Sequence, residues 1–225
     1  MKRQKLFLVT VPRYSIFAII IFLALAMIFY QGGTMNDPTA IGYSFTHNFF
    51  SDLGIFSLNN IASVLLFASA LTVCGLTFNA YFYYFIKLFP EKNINGIIAR
   101  LGSVSGMFGG FCFMAVGFTP SNYILDPHIF FANWAFRSFL ITSILLSIAL
   151  YRDNRFSRYY VVGYTIFSIL ILVYVLILEF APNPGISDFS LMFNVISQKI
   201  IVLVFIFSIL LQSFGNSKLV AEKTT

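Results

Sequence analysis

Charge is what this sequence has least of. Asp, Glu, Lys and Arg make up 10% of its 225 residues, where a soluble domain keeps roughly a quarter. So few charges cannot clothe a water-facing surface, and a soluble globular domain is excluded. Cysteine is also scarce: Cys74 and Cys112 stand singly inside apolar runs, with no CxxC pair. They read as small packing residues, not as a disulfide or zinc framework. Only two histidines are present, and there is no HExxH, P-loop or dinucleotide glycine pattern. The short alternating segments of a barrel wall, about ten residues each, are missing too.

What is abundant is apolar. Such residues make up 59% of the chain, 29 of them phenylalanine, and the mean hydropathy is +0.86. A helix needs about 20 apolar residues to cross the hydrocarbon core. Six runs qualify: 14–31, 56–82, 97–118, 128–150, 159–179 and 196–214. The expected fold class is all-α, a polytopic integral membrane six-helix bundle forming one transmembrane domain over residues 1–225.

Basic residues orient it. Lys2, Arg3, Lys5 and Arg13 precede the first run, and Lys87, Lys92 and Arg100 surround the second connection. Arg152, Arg155 and Arg158 mark the fourth connection, and Lys218 and Lys223 follow the last run. Twelve of the fourteen basic residues thus fall on one side. The positive-inside rule makes that side cytoplasmic, with both termini there, in the cell membrane. The +6 net charge is then an orientation signal with anionic lipids as its counterpart, and no nucleic-acid partner is expected. "MKRQK" before an apolar run, with Ala24 and Ala26, resembles a signal peptide. The run continues through Phe29, so an uncleaved first helix is the reading.

The long connections 32–55, 119–127 and 180–195 lie on the opposite, outer side, and the sequence predicts them at or above the headgroups. Asp52, Asp126 and Asp188 each precede an even-numbered run, with an Asn six or seven residues on. Two readings of these aspartates stand: helix caps, or members of a site. Pro127 after Asp126 reads as N1 after an N-cap. In the third run, Gly102, Gly106 and Gly110 recur every four residues, which predicts one close-packing face.

Arg137 is the expensive residue. It sits about nine residues inside its expected span, roughly 13 Å deep, and a charge there demands a partner. Glu179, at the outer end of the fifth run, is the first candidate and Asp52 the next. Lys199, beside Gln198 in the sixth run, is a second inward cation. Arg137, Glu179, Asp52, Asp126 and Lys199 therefore form the candidate ligand-binding set, an outward-facing polar pocket for a lipid headgroup or small anion. The same half holds both histidines. His47 and His128 with Asp52 or Asp126 would supply three metal ligands, and Ser51 beside Asp52 and near His47 has the atom types of acyl transfer. A membrane-embedded metal-dependent lipid hydrolase is thus the alternative, with Ser51, Asp52, His47 and His128 as its catalytic candidates. A small-solute or lipid transporter is a third reading. No cofactor is expected; the expected partners are membrane lipids, a second copy, or another membrane protein.

Ser51, Asp52 and Gly54 in "HNFFSDLG", the segment "DPHIFFANWAFR" and the six-run layout carry a resemblance. The chain resembles the membrane proteins grouped as domain of unknown function 998 (DUF998), distantly similar to the FRAG/DRAM/Sfk-like group, which carries an "SDxG"-like segment. That resemblance implies a six-helix bundle, and for the comparison group a link to membrane-lipid handling or autophagy-type regulation. It implies no catalytic residues. The membrane hydrolases that include ceramidases and adiponectin receptors are a further comparison. They use Ser, Asp and three His on seven spans, against six runs and two histidines here.

Overall fold

A computed structural model describes residues 2–222; Lys223, counted in the charge pattern, lies outside them. The apolar runs fold as six helices: α1 Lys2–Phe29, α2 Ile61–Ile86, α3 Ile94–Gly117, α4 Leu125–Tyr151, α5 Arg158–Phe180 and α6 Asp188–Glu222. All six are long and apolar enough to cross a membrane. Large apolar side chains stay exposed on every one of them, among them Phe17, Leu65, Phe111, Ile144, Ile169 and Phe207. A surface of that kind is stable in lipid. The chain is a multi-pass α-helical membrane protein.

Two helices outrun their apolar windows. α1 begins at Lys2 instead of residue 14, and α6 begins at Asp188 instead of residue 196. Hydropathy undervalues helix ends, because i→i−4 bonding continues through Ser, Asn and Lys until something breaks it. Pro12 sits inside α1 and cannot donate to the carbonyl four residues back, that of Leu8. The helix widens there into a π stretch, Leu6–Thr10, and Asn216 Nδ2 from α6 donates to the Leu8 carbonyl at 3.5 Å.

Sequential helices are antiparallel neighbours. Both described ends and the α2–α3 and α4–α5 connections share one face, here the terminal face; the other three connections form the loop face. On the terminal face three arginines satisfy carbonyls at or just beyond helix C-termini. Arg100 donates to the carbonyls of Phe89, Pro90 and Glu91, Arg155 to that of Leu88, and Arg158 to that of Tyr151. Such cations complement the negative end of the helix dipole.

Midway, five rings from four helices interlock: Phe78, Phe113, Phe136, Phe139 and Phe205. Phe78 and Phe139 approach to 4.5 Å between centroids, and Phe139 and Phe205 to 5.0 Å in a T-shaped pair. Glycines let the backbones close around them. The expected single glycine face is in fact two. Gly106 and Gly110 face α2, meeting Phe82, Phe78 and the Gly75 backbone, while Gly102 and Gly109 face α4 at Leu146 and Phe139. A helix buried on both sides needs small residues on both. Cys74 and Cys112 are free thiols.

The largest departure from expectation is the α1–α2 connection. It does not stay above the bundle. After a small hairpin, in which Gly33 N–H donates to Ala40 and Gly42 N–H to Gln31, residues 43–54 fold down between α1, α2 and α6. Leu53 is fully buried against Leu23, Ala26, Phe67 and Val116, and Asn48 is 0% exposed.

The expected caps move with it. Asp52 belongs to a separate 3-10 turn, Phe50–Gly54, and accepts from the Phe49 N–H at 2.9 Å; α2 starts only at Ile61, after a second such turn, Leu58–Asn60. α4 already begins at Leu125, so Asp126 lies in its first turn without capping it, and Pro127 is not N1. Ser187, not Asp188, caps α6, its Oγ accepting from Ser190 N–H at 3.1 Å. With Asp52 away from a helix start, the three-fold Asp spacing is no structural repeat.

Candidate functional site

Polar side chains converge on the loop face, and the buried α1–α2 segment organises the first group. Asn48 is its hub. Its Oδ1 accepts from Ser44 N–H at 2.9 Å, and its Nδ2 donates to the Gly33 carbonyl at 2.8 Å and to Asp52 Oδ2 at 3.0 Å. Its own carbonyl accepts from Tyr43 Oη at 3.1 Å and from Lys199 Nζ at 2.6 Å. Lys199, 3% exposed, also lies within 5.5 Å of three ring centroids, Tyr43, Phe45 and Phe50. Next to it, Gln198 Oε1 accepts from Phe50 N–H at 2.7 Å. α6 thus holds the segment down by two adjacent side chains.

The sequence predicts Lys199 as a cation open to a ligand. Its ammonium is instead enclosed and satisfied within the protein, by a carbonyl and aromatic faces. Burial pushes the Asp52 carboxyl up to about 6, against the Asn48 and Phe49 hydrogen bonds and the Lys199 charge, which pull it down. A carboxyl that protonates more readily when folded binds more protons in the folded state between its ordinary range and about 6. Stability from this group therefore falls as pH rises through that window. Relative to Asp52→Asn, the wild type should lose about 2 kcal/mol between pH 4 and 7 in unfolding experiments in mild detergent. Parallel pH profiles for the two proteins would show that Asp52 does not titrate there.

The remaining candidates separate. His47 Nε2 meets Asp188 Oδ1 at 3.1 Å on the exposed rim, with its Nδ1 2.8 Å from Thr46 Oγ1. His128 Nδ1 lies 2.6 Å from the Thr119 carbonyl, and Asp126 is exposed in the first turn of α4. The two histidines therefore do not join Asp52 or Asp126. Among the described residues no three His, Cys, Asp and Glu side chains are grouped so as to hold a metal ion. Ser51 keeps company with one of them: it lines, with His128 and Gln198, a cavity of about 80 Å³. Seven residues separate Asp52 from Asn59 in sequence, but the tertiary partner of Asp52 is Asn48.

Arg137 pairs with Glu179, as expected from its cost, and lies 5.9 Å from the Trp134 ring. Glu179 lies one residue from the loop-face end of α5, so Arg137 of α4 meets its partner at that end of the neighbouring helix. The pair is half open, with side chains 34% and 42% exposed. No hydrogen bond or ion pair among the described residues links it to Lys199 and Asp52. The loop face thus carries a hydrogen-bonded polar cluster around Asn48, a small cavity at Ser51 and a half-open ion pair.

With this layout in view, the chain matches the family described as "Protein of unknown function (DUF998)" over residues 18–212, from mid-α1 into α6. The chain belongs to the DUF998 family. The match takes in four whole helices, parts of α1 and α6, and the α1–α2 segment, so the DUF998 unit is the bundle itself. No curated protein and no solved structure matches the chain, and nothing links it to the FRAG/DRAM/Sfk-like group.

Sequence reasoning does not single out Asn48 or Tyr43. The signal for Asn48 is local: Asn48 and Asp52 are four apart around two apolar residues and Ser51, a spacing at which Asx side chains bond each other and nearby backbone.

Proposed function

We propose that this protein is a non-enzymatic membrane protein that binds the phosphate-bearing headgroup of a membrane lipid at the Arg137–Glu179 pair. In this reading the loop face lies outside and both termini are cytoplasmic, as the positive-inside bias requires. The observation that carries it is the half-exposed ion pair between α4 and α5, at the loop-face end of α5 and beside Trp134. Lys199 is enclosed, so Arg137 is the cation of the loop-face set still open to an anion. A zwitterionic headgroup complements it, phosphate on the guanidinium and ammonium on Glu179. The metal-dependent hydrolase is not kept, because its ligands are apart. Transport draws no support either: no helix among the described residues is broken near its midpoint, as such sites require.

The test is native mass spectrometry of the wild type and Arg137→Gln, each offered phosphatidylethanolamine, phosphatidylglycerol and free phosphate. Retention of one phospholipid should fall about tenfold in the variant, while thermal stability changes by less than about 1 kcal/mol. Equal retention of every lipid by both proteins would overturn the reading, and binding of free phosphate alone would replace the lipid by a small anion.

A further inference from the structure

The cavity at Ser51 is not isolated. It shares Phe50, Phe67, Leu71, Phe113, Phe136 and Val202 with a second chamber of about 90 Å³ deeper in the bundle. That chamber is walled by apolar side chains and Cys74, with Ile16 and Ile19 of α1 across from Ile206 and Ile209 of α6. Neither space has an Asp, Glu, Lys or Arg in its lining. The upper one has three polar residues, and each has one group unused.

Their chemistry can be assigned from the partners they already have. The Thr119 carbonyl only accepts, so His128 Nδ1 carries the hydrogen of that 2.6 Å contact and the neutral ring presents Nε2 as an acceptor. Phe50 N–H only donates, so the Gln198 atom it meets is oxygen and the free end is the NH2. Ser51 Oγ makes no hydrogen bond among the described residues. His128 is 7% exposed and lines the cavity, so its free nitrogen is an acceptor available to whatever occupies that space. Two donors and one acceptor, without fixed charge, open onto a dry chamber. A chamber of this order stays empty of water and takes apolar groups.

We propose that these two spaces form one site for a fatty acid, separate from the phospholipid contact at Arg137. The carboxyl O–H donates to His128 Nε2, its carbonyl accepts from Gln198 Nε2 and Ser51 Oγ, and the alkyl chain lies among the rings of the lower chamber. A phosphate head is unsuited, since its charge would be buried without a cation. An acid fits better than its ester because only the acid supplies the hydrogen that His128 accepts.

The experiment uses the full chain in phosphatidylcholine nanodiscs, with a diazirine-bearing short-chain fatty acid matched to the two spaces photolysed in place and the labelled residues mapped by mass spectrometry. The methyl ester of the same compound is the comparator. Labelling is expected at the chamber residues of α2 and α6, about tenfold weaker with the ester, as one lost buried hydrogen bond implies. Val202→Phe, which fills the shared wall, should abolish it, and Ser51→Val, which breaks no existing bond, should weaken it several-fold. Arg137→Gln should leave it unchanged, which keeps this site distinguishable from the surface one. Equal labelling by acid and ester, labelling that survives Val202→Phe, or labels confined to lipid-facing residues would each overturn the proposal.

Discussion

Asn48→Ala is expected to lower the unfolding free energy by about 3 kcal/mol. Three hydrogen bonds from one fully buried side chain would go. Their half-buried partners, the Ser44 amide, the Gly33 carbonyl and Asp52, would each lose a bond, Asp52 keeping only the Phe49 N–H. An unsatisfied buried group costs about 1–3 kcal/mol, more when charged, and Asp52 is the charged one. Lys199→Met should cost less, since the Asn48 carbonyl keeps Tyr43 and the cation leaves with its desolvation penalty. Chemical unfolding in mild detergent, followed by circular dichroism, measures both. A loss under about 1 kcal/mol for Asn48→Ala would mean that the segment 43–54 is not held in the bundle through this side chain.

The second large effect is expected at Gly75. Its α-carbon faces the backbone of α3 so closely that an added methyl would run into the Gly110 carbonyl and the Met114 side chain. Met114 can swing away, but a helix backbone cannot. Gly75→Ala must therefore force α2 and α3 apart, at about 3 kcal/mol, the upper end of overpacking costs, or prevent folding. Gly110→Ala meets Asn79, the Gly75 carbonyl and Phe78 at 2.9 to 3.0 Å, tight but less severe, and should cost roughly half as much. The ordering is the sharp part. If Gly110→Ala proves the worse of the two, the α2–α3 seam is not closed at Gly75. In lipid such close approach is what holds helices together, because apolar side chains gain nothing by leaving hydrocarbon for one another.

Part of the candidate site is legible in the sequence. Arg137 pairs with Glu179 as its cost demands, since a lone guanidinium among apolar side chains has few ways to be satisfied. The histidines mislead. His47 and His128 share a face, and a face is much larger than a coordination sphere of about 2 Å. Asn48 has no charge and no motif to mark it, though it makes more hydrogen bonds than any of the residues that stand out.

Six long apolar runs separated by polar connections are enough to determine the number of helices and their antiparallel order, because length and hydropathy act locally along the chain. They also determine that both ends meet on one face, since the number of crossings is even. Only the tertiary structure decided that residues 43–54 enter the bundle, that Lys199 is caged, that α3 is buried on two sides, and that Ser51, His128 and Gln198 surround one cavity. Those outcomes depend on contacts between residues as far apart as Asn48 and Lys199. No local pattern encodes them: a polar group in an apolar protein takes whichever partner the packing brings within about 3 Å, and packing is a property of the whole bundle.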